Sequence, residues 1–290
     1  RDRVNKDFSY DVSFVLSDYQ AEITKFNNPQ NLLSTHYVGK KWGEIWGLVT
    51  EGLFQSAEEV SAHADQSEIY GGGWYPGDVK YKDLNGDGKI DENDKTFIGS
   101  SIPDMSVGLN ITLGYKGFDF SMLLQGDLGI DVYNNFKQTL LHGKALHNQL
   151  ADIKNAFRAE AVTFTTRGGE TITLPKNTHT GIPRIVYGDP NQNSMRASDY
   201  FVEDASYIRC NNITLGYTFP KQWMKPVMIE NLRLYVGVKN PFTITGYSMF
   251  DPQVPNGGST LDRGVDGRFY DFTGTFWSQR EYFAGLQLTF

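Results

Sequence analysis

Six segments of this chain alternate apolar and polar side chains one for one, and no residue on the apolar side carries a charge. The first sets Phe8, Tyr10, Val12, Phe14 and Leu16 against Ser9, Asp11, Ser13, Val15 and Ser17. The second carries Val107, Leu109, Ile111, Leu113 and Tyr115, and the third Phe118, Phe120, Met122 and Leu124. Ile213, Leu215, Tyr217 and Phe219 follow, then Leu232, Leu234, Val236 and Val238, and last Tyr282, Ala284, Leu286, Leu288 and Phe290. A period of two puts each set on one face of an extended strand. The opposite faces are rich in Ser, Asn, Thr, Gln and Gly. A large charge-free face must be covered, either by a second sheet in a soluble sandwich or by lipid around a barrel.

Composition allows both. No run approaches 18 apolar residues, so no membrane-crossing helix is expected. A membrane-crossing strand needs an apolar residue only at every second position, so a hydrophobic fraction of 39% is compatible with a barrel. Aromatics at 14% and 30 glycines suit interfacial girdles and tight turns. A net charge of −7 argues against nucleic acid as a partner. Cys210 is the single cysteine, which excludes an internal disulfide and predicts a small packed residue within a strand.

The connections favour the barrel. Strands two and three are joined by Lys116-Gly117 and strands four and five by FPKQWMKPVMIE. The others, roughly 27–104, 128–206 and 246–279, are too long for linkers. Short and long connections alternate, as they do where periplasmic turns are tight and extracellular loops extended. A final apolar strand that runs to Phe290, with Tyr282, Leu286, Leu288 and Phe290 on one face, predicts closure of a sheet in lipid. Six strands cannot close a barrel, so the expected fold is all-β: a transmembrane antiparallel segment of a larger barrel. A start at Arg1-Asp2-Arg3 without Met predicts a mature chain or a fragment.

The twelve residues DLNGDGKIDEND carry the ligand spacing of a calcium loop. Asp83, Asn85 and Asp87 take positions 1, 3 and 5, and Gly88 supplies the turn at 6. Lys89 offers its carbonyl at 7, Asp91 stands at 9 and Asp94 at 12, where Glu is usual. Hard oxygens at this spacing predict a structural Ca²⁺ clip in the first long loop. An acidic turn closed by its own hydrogen bonds is the plainer alternative.

Other signals are weaker. Trp42, Trp46, Trp74, Tyr75 and Trp277, with Tyr70, Phe269 and Tyr270, are loop aromatics suited to solute or to a covering lid, or simply to loop packing. Arg233, Lys239 and Asp119 fall on the polar faces, where they meet water, a plug or solute. His142 and His147 lack the spacing of a helical ligand pair. Residues 136–160 carry the pattern of a short helix within a loop. No nucleophile elbow, zinc-protease helix, phosphate loop or dinucleotide fingerprint is present. A calcium-stabilised β-sandwich that binds carbohydrate and, behind it, a glycoside hydrolase remain open on the residues alone.

GEIWGLVTEGLFQSAEEV, GWYPGDVKYKDLNGDGKIDENDKTFIGSSIPDMSVGLNITLGYKGFDFSMLLQG, IPRIVYGDPNQNSMRASDYFVEDASYIRCNNITLGYTFP and NLRLYVGVKNPFTITGYSMFDPQV resemble, in this order, the SusC/RagA family of TonB-dependent outer-membrane transporters. The resemblance covers most of the chain from Gly43 to Phe290. It implies the last six or so strands of a 22-stranded barrel in the cell outer membrane, with no enzymatic activity. The family's plug domain and TonB box have no counterpart in these residues. It implies import of oligosaccharides or peptides, a SusD-like surface lipoprotein as a lid, energy from the TonB complex acting through an N-terminal part, and a barrel-assembly signal in Tyr282, Leu286, Leu288 and Phe290.

Overall fold

The computed structural model describes residues 2–29, 37–67, 69, 73–141, 149–193, 196–249, 251–253 and 278–290. Six long strands form its wall: β1 (Phe8–Ser17), β2 (Met105–Tyr115), β3 (Phe118–Leu128), β4 (Tyr207–Thr218), β5 (Asn231–Thr245) and β6 (Glu281–Thr289). They pair antiparallel, each with its neighbours in sequence, and a two-residue strand, Asp2–Arg3, extends the β1 edge. This is the meander that period-two alternation with turn signals predicts.

Register makes the apolar face continuous. Val12 stands opposite Ile111, Ile111 opposite Met122, and Met122 opposite Ile213. Ile213 pairs with Val238, and Val238 with Tyr282. Because a slip of one residue would invert a strand's faces, this alignment fixes all six strands together. The β2–β3 turn falls on Lys116 and Gly117, both at positive φ, the geometry of a two-residue hairpin turn.

Two strands run further than their apolar repeats. β4 begins at Tyr207, ahead of the alternation that starts at Ile213, and β5 continues past Val238 to Thr245. A bulge between Cys210 and Asn212 hides both extensions by shifting the phase. On the β5 side Asn240 takes a positive φ and Pro241 has no N–H to donate. Cys210 is buried at this bulge, as expected.

The long connections, 18–104, 129–206 and 246–280, lie between the wall strands. The first begins at 18 rather than near 27, since β1 stops at Ser17. Their described parts fold into a cap of two-stranded antiparallel sheets: Glu44–Gly47 with Thr96–Ser100, Thr50–Leu53 with Val79–Tyr81, Asp131–Tyr133 with Val202–Asp204, and the hairpin of Val162–Thr165 with Thr171–Leu174. The expected helix over 136–160 is shorter: α-helix covers Asn135–Leu141, a 3₁₀ turn covers Ala151–Asn155, and residues 156–160 are non-helical. Asn134 starts the helix by accepting the Lys137 N–H at 2.8 Å, and Ala156 ends the 3₁₀ turn. Among the described residues no helix is long and apolar enough to cross a membrane.

The buried apolar core sits in this cap. Leu48, Leu53, Val79, Tyr81, Ile90 and Phe157 form one cluster. Ile130, Val132, Ala205 and Tyr247 form a second, and Ile45, Tyr133 and Phe201 a third. None of the apolar-face side chains of the wall, by contrast, is buried, and many stand exposed: Phe14 at 65%, Val236 at 55% and Leu286 at 61%.

Candidate functional site

Across β1 to β4 the polar face carries a row of hydrogen-bonding groups, since Asp11, Thr112, Ser121 and Thr214 are successive register partners. Two ion pairs lie on this face. Arg233 of β5 reaches across β4 to Asp119 of β3, its Nε donating to Oδ1 at 2.9 Å. The strand between them carries Gly216 at the crossing. A Cβ there would stand 2.5 Å from Asp119 Oδ1, so glycine makes the ion pair possible. Arg233 also lies 5.0 Å from the Tyr235 ring, and Lys239 pairs with Glu281 at 2.9 Å. Each of the three charges expected on the wet face therefore has a partner in the wall.

Arg209 is the residue that sequence reasoning missed. It is buried where β4 meets the cap, and it donates to Thr243 Oγ1 at 3.0 Å, Gln253 Oε1 at 2.9 Å and Ser278 Oγ at 2.6 Å, and to Asp251. Burial works to raise the Asp251 pKa, but the N–H groups of Ser278 and Gln253, with Arg209, outweigh it and hold the carboxyl below its usual range. Four groups from β5 and the third loop thus converge on one guanidinium. The bulge masks the signal, because alternation lapses just beyond Arg209.

A second polar hub ties the first two loops. Asp78 is fully buried and accepts from Arg184 Nε at 2.6 Å, Asn191 Nδ2 at 2.6 Å, Asn193 Nδ2 at 2.8 Å and the Tyr75 N–H at 2.9 Å. Asn193 in turn accepts the Val79 N–H at 3.0 Å. Glu203 does similar work between the second and third loops, accepting from Lys137 Nζ at 3.2 Å and the Ser248 N–H at 3.1 Å. Burial pushes the Glu203 pKa up, and the Ser248 and Lys137 contacts bring it below the ordinary value. Beside this network lies a cavity of about 660 Å³ lined by Lys137, Leu141, Leu150, Ile182, Tyr200 and Met249, a volume suited to a small organic guest.

The acidic loop is organised by backbone donors. Asp83 accepts the N–H of Gly86 at 2.6 Å and of Gly88 at 2.8 Å. Asn85 accepts from Asp87, and Asp87 from Lys89. Asp94 is fully buried and joins the two ends, taking the Leu84 N–H on one oxygen and the Asp91 N–H on the other, each at 2.8 Å. Ile90, between ligand positions 7 and 9, is fully buried and donates its N–H to the Asp65 carbonyl. The donor set fits Ca²⁺ in kind and spacing, and the buried Ile90 and Asp94 fix the loop to the cap core. Among the described residues no three His, Cys, Asp or Glu side chains converge closely enough to hold a metal in this geometry.

The loop aromatics divide. Trp42 and Tyr75 are exposed, and Arg184 lies 4.9 Å over the Tyr75 ring. Trp46 is half-buried, donates to Glu44 Oε2 at 2.8 Å and stands edge-on to Tyr37, whose phenol burial and Glu44 push up to about 12. Trp74 packs on the first cap cluster beside Phe54. Tyr70, Phe269, Tyr270 and Trp277, like His142 and His147, lie outside the described residues. On β6, Tyr282, Leu286 and Leu288 face outward opposite Val238, Leu234 and Leu232, and Phe290 follows the strand's last residue.

No family model matches the chain. It is 27% identical to TonB-dependent receptor P3 of Formosa agariphila over 304 residues, which covers 100% of this chain and 28% of that one. It is 30% identical over 262 residues to TonB-dependent receptor SusC of Bacteroides thetaiotaomicron, covering 88% of this chain and 23% of SusC. The chain thus spans about a quarter of the length of these relatives. Among solved structures, the RagAB peptide transporter shares the fold with a TM-score of 0.65 and 19% identity, over 99% of this chain and 28% of the other.

Proposed function

Because the chain belongs to the SusC/RagA family of TonB-dependent receptors, we propose that it serves nutrient import across the outer membrane, as barrel wall and extracellular cap of a longer receptor. The observation that carries this reading is the charge-free face running in register through all six strands and left uncovered by the other described residues. A sandwich would lay a second sheet against that face. Lipid is the cover that fits, and the paired charges and hydroxyls of the opposite face suit a water-filled lumen.

In this reading solute passes along the polar face beneath a SusD-like lipoprotein that closes over the cap, and TonB pulling on a plug opens the path. The cargo is an oligosaccharide, with peptide as the second choice. The exposed Trp42 and Tyr75 support a contact with sugar or lid, since flat aromatic faces recognise both. The matched proteins are receptors and transporters, and this favours movement of solute over catalysis. The test is uptake of a labelled oligosaccharide or peptide by cells carrying the full-length receptor and its lid. TonB-dependent uptake that a lid deletion abolishes supports the reading; uptake indifferent to both rejects it.

The acidic loop is proposed as a Ca²⁺ clip for the first loop, supported by ligand spacing and by the buried Asp94 that already joins its ends. Calorimetry on the intact receptor at millimolar Ca²⁺ tests it, with Asp87→Ala as the control. A heat of binding lost in the variant supports the clip. No heat in either protein removes it.

A further inference from the structure

The two turn-side connections differ in a way that turning does not explain. Lys116-Gly117 reverses the chain in two residues, whereas residues 219–230 spend twelve on the same task. That longer connection is ordered: helix Lys221–Met224 runs into a 3₁₀ turn, Lys225–Val227. The N–H of Phe219 bonds to Leu232 O at 2.9 Å and that of Glu230 to Thr289 O at 2.8 Å, which pins it to the ends of β5 and β6.

Its side chains continue the lipid-facing side of the wall. Phe118 and Tyr217 are register partners on the apolar face, with ring centroids 4.6 Å apart. Tyr217 stands edge-on to Phe219 at 5.0 Å, and Phe219 meets Trp223 at 6.4 Å. The aromatic row thus leaves the strands and ends on Trp223, which is 61% exposed. Lys221 and Lys225 are exposed on the same short helical stretch, and Lys221 stands 3.9 Å from the exposed Glu230, a contact worth little in water. A rigid apolar body with a ring at its tip and ammonium groups beside it matches the boundary between acyl chains and headgroups.

We propose that residues 219–230 form an interfacial anchor that binds anionic phospholipid headgroups, with Trp223 at the carbonyl level and Lys221 and Lys225 on the phosphates. The occupant follows from charge complementarity and from continuity with the apolar wall. The inference rests on the wall facing lipid, so the test reports on both.

The full-length receptor is reconstituted in phosphatidylethanolamine–phosphatidylglycerol vesicles doped with lipid brominated shallow or deep in the acyl chain. The Trp223 signal is the wild-type emission less that of Trp223→Phe. It should be quenched more strongly by shallow bromine, while a reporter in mid-wall, Leu215→Trp, should be quenched more strongly by deep bromine. The phosphatidylglycerol retained on detergent extraction should fall about five-fold for each of Lys221→Gln and Lys225→Gln. A Trp223 signal blind to both bromines, with Leu215→Trp quenched, overturns the anchor and leaves the wall reading intact. If neither reporter is quenched, both readings fall. Unchanged lipid retention in the double lysine variant overturns the headgroup assignment.

Discussion

The wall and the cap bury their apolar residues by opposite rules. In the cap, Leu48, Tyr81 and Ile90 vanish into packed clusters, as in any water-soluble fold. In the wall, residues of the same kinds stand in ordered rows on one face, and the polar groups line the other. The wall is held by register and backbone pairing, and in the proposed reading lipid supplies the cover. The cap is held by its apolar clusters and by polar contacts between distant loops, among them the Asp78–Arg184 ion pair.

The largest effect that separates them is expected at Asp78. Asp78→Ala leaves the Arg184 guanidinium and two asparagines without their common acceptor, and it should cost the cap roughly 3–5 kcal/mol. Limited proteolysis of the intact receptor should then cut the first two loops faster, while heat-modifiable migration of the barrel on a gel stays unchanged. Simultaneous loss of both would show that wall and cap are one cooperative unit.

Next comes the wall. Val236→Arg places a cation on the outward face and should destabilise the barrel by roughly 2–4 kcal/mol in lipid. Thr112→Arg, on the opposite face beside Asp11, should change stability by less than about 0.5 kcal/mol. Equal penalties in denaturant titrations would erase the distinction between the faces.

The smallest effect is a pH dependence confined to the cap. Asp131 stands directly across from Asp204, and burial, with the Asp204 and Asp104 charges, raises its pKa despite the Ser100 N–H it accepts. A carboxyl whose folded pKa lies above its unfolded value takes up its proton earlier in the folded state. Local stability should therefore rise as the pH falls through that window, and decline as it rises. Hydrogen exchange around residues 96–100 and 131–133, corrected for intrinsic rates, should slow on mild acidification. In Asp131→Asn this response should vanish, and its persistence there would assign the effect to another group.

The same contrast explains what the sequence could reveal. Wall strands announce themselves because one face is apolar and the other polar, so Val107 to Tyr115 or Leu232 to Val238 can be read off at period two. The bulge at Cys210–Asn212 broke that period and concealed Arg209, whose partners lie in another strand and loop. Cap contacts carry no period at all: Asp78 and Arg184 are 106 residues apart, and nothing local links them. The acidic loop was legible through its spacing, yet its closure by the buried Asp94 depends on three-dimensional packing. The helix expected over 136–160 was overestimated because Leu150 and Ile153 line a 3₁₀ turn and not a continued helix.

The central claim, that β5 has one face in lipid and one in water, is tested most directly by cysteine scanning of residues 232–239 in the full-length receptor with Cys210 replaced by Ser. After reconstitution, a water-soluble maleimide should label 233, 235, 237 and 239 and spare 232, 234, 236 and 238. Labelling without a period of two, or with the two sets reversed, would contradict the account.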